Sequence, residues 1–185
     1  MKRCLFLIVS VLLLSGCGNN GEMKVITGLR DSMLQMESCS FNAKILADYG
    51  EMSYTFTVSC QADREGNVSF LVKEPETISG VGGEIRNQNG QLMYEDVVLG
   101  FPLLADGEIS PVSAPWILIK TLLSGYIRCS TPEEQGVHVV MDDSYGDSAL
   151  QVDIWLGSDS LPIYAQIVWQ NRRVVSIQLD SFVIV

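Results

Sequence analysis

The chain has 185 residues, with 22 acidic against 12 basic side chains and a formal net charge of −10. That balance excludes a nucleic-acid backbone as partner, which needs clustered Lys and Arg, and gives no electrostatic hold on anionic headgroups. Hydrophobic residues make up 47% with few charged runs, which fits a single folded domain.

The chain opens with Lys2 and Arg3, runs apolar from Leu5 to Leu14, and reaches Leu14-Ser15-Gly16-Cys17. A basic start, a short apolar run and a small-residue site are the parts of a secretory signal peptide. The last four residues resemble the bacterial lipobox, in which the cysteine becomes the lipidated first residue of the mature protein. A transmembrane anchor needs ~20 apolar residues, and Gly16 and Asn19-Asn20 interrupt this run too early. The expected organisation is therefore a signal peptide over 1–16, a lipidated Cys17 with its tether over 17–21, and one domain over 22–185. The expected location is the extracytoplasmic face of the cell membrane, held by acyl chains such as palmitate on Cys17. The four residues after Cys17 reach at most ~14 Å, so the body is expected close to the bilayer.

From Glu22 to about Glu37, Val25, Ile26, Leu29, Met33 and Met36 recur at the spacing of one helix face. The period then changes to two. Phe41, Ala43, Ile45 and Ala47 alternate with polar residues, as do Met52, Tyr54, Phe56 and Val58. Taking Tyr49-Gly50 as a two-residue loop sets Ile45 opposite Tyr54 and Cys39 opposite Cys60. Those two cysteines are expected to be neighbours, either disulfide-bonded or reduced core thiols. Further strands are expected over 68–73, 77–86 and 91–99, with Gly80, Gly82 and Gly83 marking a bulge or bend.

Residues 100–112 read as a loop. Ser113-Ala114-Pro115-Trp116 then opens a helix, with Ser113 as cap and Pro115 in the first turn. Trp116, Ile117, Leu118, Ile119, Leu122 and Leu123 make that helix apolar nearly all round, so it wants burial on several sides. Four strands follow over 137–141, 150–156, 161–170 and 174–183. In these, Gly157 to Ser160 as loop pairs Leu156 with Leu161, and an odd-length turn Asn171-Arg172-Arg173 keeps Ile167 beside Val175. Their second face is polar but broken by Trp155, Val168 and Phe182. About nine antiparallel strands with single apolar faces give an α+β fold, a curved sheet or half-barrel with helices on its concave side.

The lipobox, the N-terminal helix and a curved meander with an apolar helix mid-chain together resemble the LolA/LolB family of lipoprotein carriers. Glu74-Pro75 after a strand and Ser113-Ala114-Pro115-Trp116 at the helix start add to the likeness. In size and layout the chain is similar to lipidated members acting in spore germination. The resemblance implies a half-barrel that either encloses a hydrophobic cavity or serves as a protein-binding scaffold. Membrane anchorage departs from the soluble carriers and argues against a shuttle.

Residues for catalysis are sparse. His138 has no second histidine for a zinc site. Ser124 lacks the leading glycine of a nucleophile elbow. Cys129 beside Ile127 reads as a buried cysteine in preference to a thiol paired with His138. Asp142, Asp143 and Asp147 read as a solvated turn, since their spacing is not that of a calcium loop. No catalytic residue, metal or cofactor is expected, and the chain is not expected to be an enzyme. The first reading is a non-catalytic scaffold in the cell envelope, of spore-germination type, with a protein partner on Trp155, Val168 and Phe182. The alternative is a carrier of lipid or another hydrophobic ligand in a cavity beside Trp116, Ile117, Ile119, Leu122 and Leu123.

Overall fold

The structure, a computed structural model, describes residues 20–105, 108–134, 136–146 and 148–185. Cys17 with its leader and Asp147 lie outside the described residues. Helix α1 spans Asn20–Gln35 and buries Ile26, Leu29 and Met33 of the expected stripe, with Met36 buried just past its end. Six strands follow: β1 (Ser38–Asp48), β2 (Ser53–Asp63), β3 (Val68–Glu74), β4 (Gly82–Arg86), β5 (Asn89–Tyr94) and β6 (Val97–Phe101). A short hairpin, β7 (Leu104–Ala105) and β8 (Glu108–Ile109), leads to helix α2 (Ala114–Ser124). The chain ends in β9 (Tyr126–Glu133), β10 (Gly136–Asp142), β11 (Gln151–Leu156), β12 (Pro162–Trp169) and β13 (Arg172–Ile184).

Eleven strands form one open, curved antiparallel sheet in the order β6-β5-β4-β3-β2-β1-β13-β12-β11-β10-β9. This is the expected α+β half-barrel with two helices on one face. Its strand count exceeds nine because residues 91–99 are not one strand. Glu95, at φ 51°, turns β5 back into β6, and the tail contributes β9 as a fifth strand. Residues 77–86 likewise divide into a 3₁₀ turn (Glu76–Ile78) and β4, with Gly80 at φ 89° between them.

Period-two patterning assigns faces correctly more often than partners. The first hairpin closes with four residues, Tyr49 to Met52, and the Tyr49 amide donates to the Met52 carbonyl at 2.9 Å. Ile45 therefore faces Phe56, Phe41 faces Cys60, and Cys39 faces Ala62. Cys39 and Cys60 sit on one face but are not opposite each other, and both are free buried thiols. A two-residue shift moves every partner and leaves every face unchanged. In the β11–β12 pair Leu156 faces Pro162, Ile154 faces Ala165 and Val152 faces Ile167, while Ile163 is exposed.

Phe182 corrects the expected outer surface. Ser181 takes φ 56° near a break in the β1–β13 ladder, so Asp180 and Ser181 both face water. That extra residue turns Phe182 inward, where it stacks on Phe41 at 5.1 Å and 13°. Cys129 is the second correction. The β9–β10 ladder slips between Val140 and Met141 along the edge strand, leaving Cys129 exposed.

Candidate functional site

Helix α2, expected from its composition to be buried on several sides, packs into the common core. Ile117, Leu118, Ile119 and Leu122 are fully buried in the common core, with Trp116 and Leu123 half-buried at its margin. Arg30 of α1 ties the two helices together. Its guanidinium donates to the carbonyls of Leu122 (2.9 Å) and Gly125 (2.6 Å) at the C-terminus of α2. A cation there satisfies orphan carbonyls and the helix dipole. Burial lowers the pKa of Arg30. Lys120, the one charge in α2, lies 5.3 Å from the Trp116 ring centroid and bonds Asp143 at 3.0 Å. Asp143 also accepts from the Leu150 amide, so this acid closes a turn.

The helix is too short to cover the sheet. Eleven residues extend about 16 Å, whereas eleven strands at ~4.8 Å spacing extend about 50 Å. The uncovered part is the outer edge of the N-terminal arm, β5 and β6, and an apolar groove of about 530 Å³ lies on the inner face beside it. Phe56, Val72 and Leu92 of β2, β3 and β5 form the floor. Pro75, Ile78 and Val81 line it from one segment and Pro111 and Val112 from another, and Ser53, Tyr54 and Thr55 complete the lining. No charged side chain lines it.

Local chemistry holds the second of these segments in place. The Tyr49 hydroxyl donates to the Ile109 carbonyl. The Ser113 hydroxyl, instead of capping α2, shares its one proton between the Ser110 (2.6 Å) and Leu103 (3.1 Å) carbonyls. Gly83 pairs with the floor residue Leu92. A Cβ there would come within 2.0 Å of the Phe70 ring, so only glycine lets that ring lie across β4.

Beyond the groove the apolar surface continues to the sheet edge. Tyr94 and Val97 face each other on the inner side, as do Leu92 and Leu99, and Leu99 is 61% exposed. Edge strands of soluble proteins normally carry charges, and β6 carries none.

None of Trp116, Ile117, Ile119, Leu122 and Leu123 lines this groove, because α2 packs into the core away from it. The groove residues Ile78, Val81, Leu92, Pro111 and Val112 were missed in sequence. The available signal was Glu95-Asp96, an acidic pair interrupting an apolar alternation, which marks a turn. On the outer face, Trp155 stacks between His138 (4.3 Å) and Tyr164 (5.1 Å), and Val168 lies beside Gln151 and Arg173. The structure therefore keeps Trp155 and Val168 outside but removes Phe182 from their company.

The buried thiols are poor nucleophiles. Burial, with a smaller push from the Asp63 carboxylate against a lowering Ala62 backbone bond, raises Cys39 to about 12. Burial raises Cys60 further, helped by Cys39. The thiolate is the reactive form, so neither is poised for covalent chemistry.

No protein-family model matches the chain, and no curated protein matches it in sequence. Solved structures do resemble it. A LolA superfamily protein from Nitrosomonas europaea aligns with TM-score 0.45 and 10% identity, over 87% of this chain and 92% of its own. The lipoprotein LppX from Mycobacterium tuberculosis aligns with TM-score 0.45 and 11% identity, over 89% and 96%. LprF from Mycobacterium bovis aligns with TM-score 0.43 and 10% identity, over 90% and 95%. At such identities the chain's own residues must carry any statement about function.

Proposed function

We propose that this chain is a lipid-anchored, extracytoplasmic envelope protein that holds an apolar ligand, such as an acyl chain, in the groove of its N-terminal arm. The single observation behind this reading is the uncharged, half-open groove between Phe56, Val72 and Leu92 below and Val81 and Val112 at its sides. Its volume of about 530 Å³ falls among small-molecule sites, and apolar walls with few polar groups are what such sites use. The resemblance to LolA/LolB carriers and the lipobox ending at Cys17 point the same way. The short tether makes it a holder at the membrane and not a shuttle, and no step in holding a ligand requires catalysis. The spore-germination role is a finer reading that rests on size and layout alone.

This reverses the order read from sequence, where a protein-binding scaffold came first. Phe182 is buried, which removes one of the three side chains that motivated that surface. The test is binding of cis-parinaric acid, a fluorescent fatty acid. The wild-type chain should bind it saturably, and Val112→Trp, which fills the groove, should weaken it about tenfold with unchanged far-UV circular dichroism. Absence of saturable binding by the wild type refutes the reading.

A further inference from the structure

The outer face of the sheet, across from the helices, carries a separate concavity of about 730 Å³ over β1, β13 and the β12–β13 turn. Lys44, Arg172 and Arg173 line it, three of the 12 cations in a chain of net charge −10. Asp48 is the acid in the lining, and Arg172 holds it. The guanidinium donates to the Asp48 carbonyl at 3.0 Å and lies 3.7 Å from its carboxylate.

Backbone irregularity is what turns Arg173 outward. Gln170 and Asn171 make a two-residue turn at φ 50° and 60°, so Trp169 faces Arg172 and Val168 faces Arg173. The ladder then slips, and Ile167 faces Val175 with Val174 as the extra residue. In an unbroken strand Arg173 would share the inward side of Val175 and Ile177. The bulge at Val174 places it on the outer face with Lys44, a re-aiming for which bulges are often kept. This also corrects the expected odd-length turn, because parity is restored in the strand and not in the loop.

The remaining polar lining consists of Asn171, Ser176, Gln178 and the Tyr164 phenol, all neutral hydrogen-bonding groups. Clustered guanidinium and ammonium groups match a phosphate, and neutral amides and hydroxyls match a hydroxyl-bearing body. We infer that this concavity binds a soluble phosphorylated polyol. Its phosphate sits on Lys44, Arg172 and Arg173, and its hydroxyls meet Asn171, Ser176 and Gln178. The sheet separates this site from the apolar groove, so the two bind independently.

The test is isothermal titration of the full chain, in a non-ionic detergent, with sn-glycerol 3-phosphate, glycerol and phosphatidylglycerol carried in micelles of the same detergent. The wild type should bind glycerol 3-phosphate saturably and glycerol not at all. Lys44→Gln with Arg173→Gln should weaken binding about tenfold or more, with an unchanged melting temperature because both side chains are exposed. Arg173→Lys alone should retain part of the affinity. Val112→Trp should bind as the wild type does. No saturable binding by the wild type, equal affinity in the double variant, or binding to micellar phosphatidylglycerol without binding to glycerol 3-phosphate would each overturn the inference.

Discussion

The two wings of the sheet share the same alternating pattern and differ in what lies above them. In β11, Val152, Ile154 and Leu156 are buried in the common core. In β6, every residue from Val97 to Gly100 is exposed although the strand is just as apolar. Alternation states which side chains share a face, and the reach of a covering helix decides whether that face is core or binding surface. One wing is closed and supplies stability. The other is left open and carries an apolar groove.

The largest test of this contrast is truncation in the closed wing. Leu118→Ala and Phe182→Ala should each destabilise by about 2–5 kcal/mol in urea unfolding, since both side chains are buried. A loss under ~1 kcal/mol for Phe182→Ala would return that ring to the outer surface. Next comes the tie between the helices. Arg30→Met leaves the α2 carbonyls of Leu122 and Gly125 without their charged donor and should cost about 1.5–3 kcal/mol.

The buried core should also show in alkaline titration. Cys39 and Cys60 have folded-state pKa values raised above the ordinary 9.0, so the unfolded chain ionises first. Stability is then fully present below pH 9 and falls as pH rises from 9 toward 12, by at most about 1.4 kcal/mol per unit for each thiol. Cys39→Ala with Cys60→Ala should flatten that slope. In native protein, iodoacetamide should modify Cys129 before either buried thiol, as read by peptide mass spectrometry. The smallest effect belongs to the open wing. Leu99→Ser should change stability by no more than about 0.5 kcal/mol. A cost near that of Leu118→Ala would mean β6 is covered and would erase the contrast.

Much of the fold was legible because its signals were local. The α1 stripe of Ile26, Leu29 and Met33, the apolar Trp116–Leu123 segment and the faces of β1, β2 and β11 follow directly from residue period. Register was not legible, because Gly50 suggested a two-residue loop whereas it occupies φ 91° inside a four-residue one. The bulges at Val174 and Ser181 carry no glycine or proline to announce them, which is why Phe182 was assigned to the wrong face. The groove was illegible for a different reason. Its walls come from residues 75–81 and 111–112, far apart in sequence, and no local period brings them together.

Photo-crosslinking with a diazirine fatty acid, followed by peptide mapping, tests the central claim most directly. Labels should fall on peptides holding Phe56, Val72, Ile78 to Val81, Leu92 and Val112, and Val112→Trp should suppress them. Labelling centred on β11 and β12 around Trp155, or on α2 itself, would contradict the division of the sheet into a closed wing and a ligand-holding one.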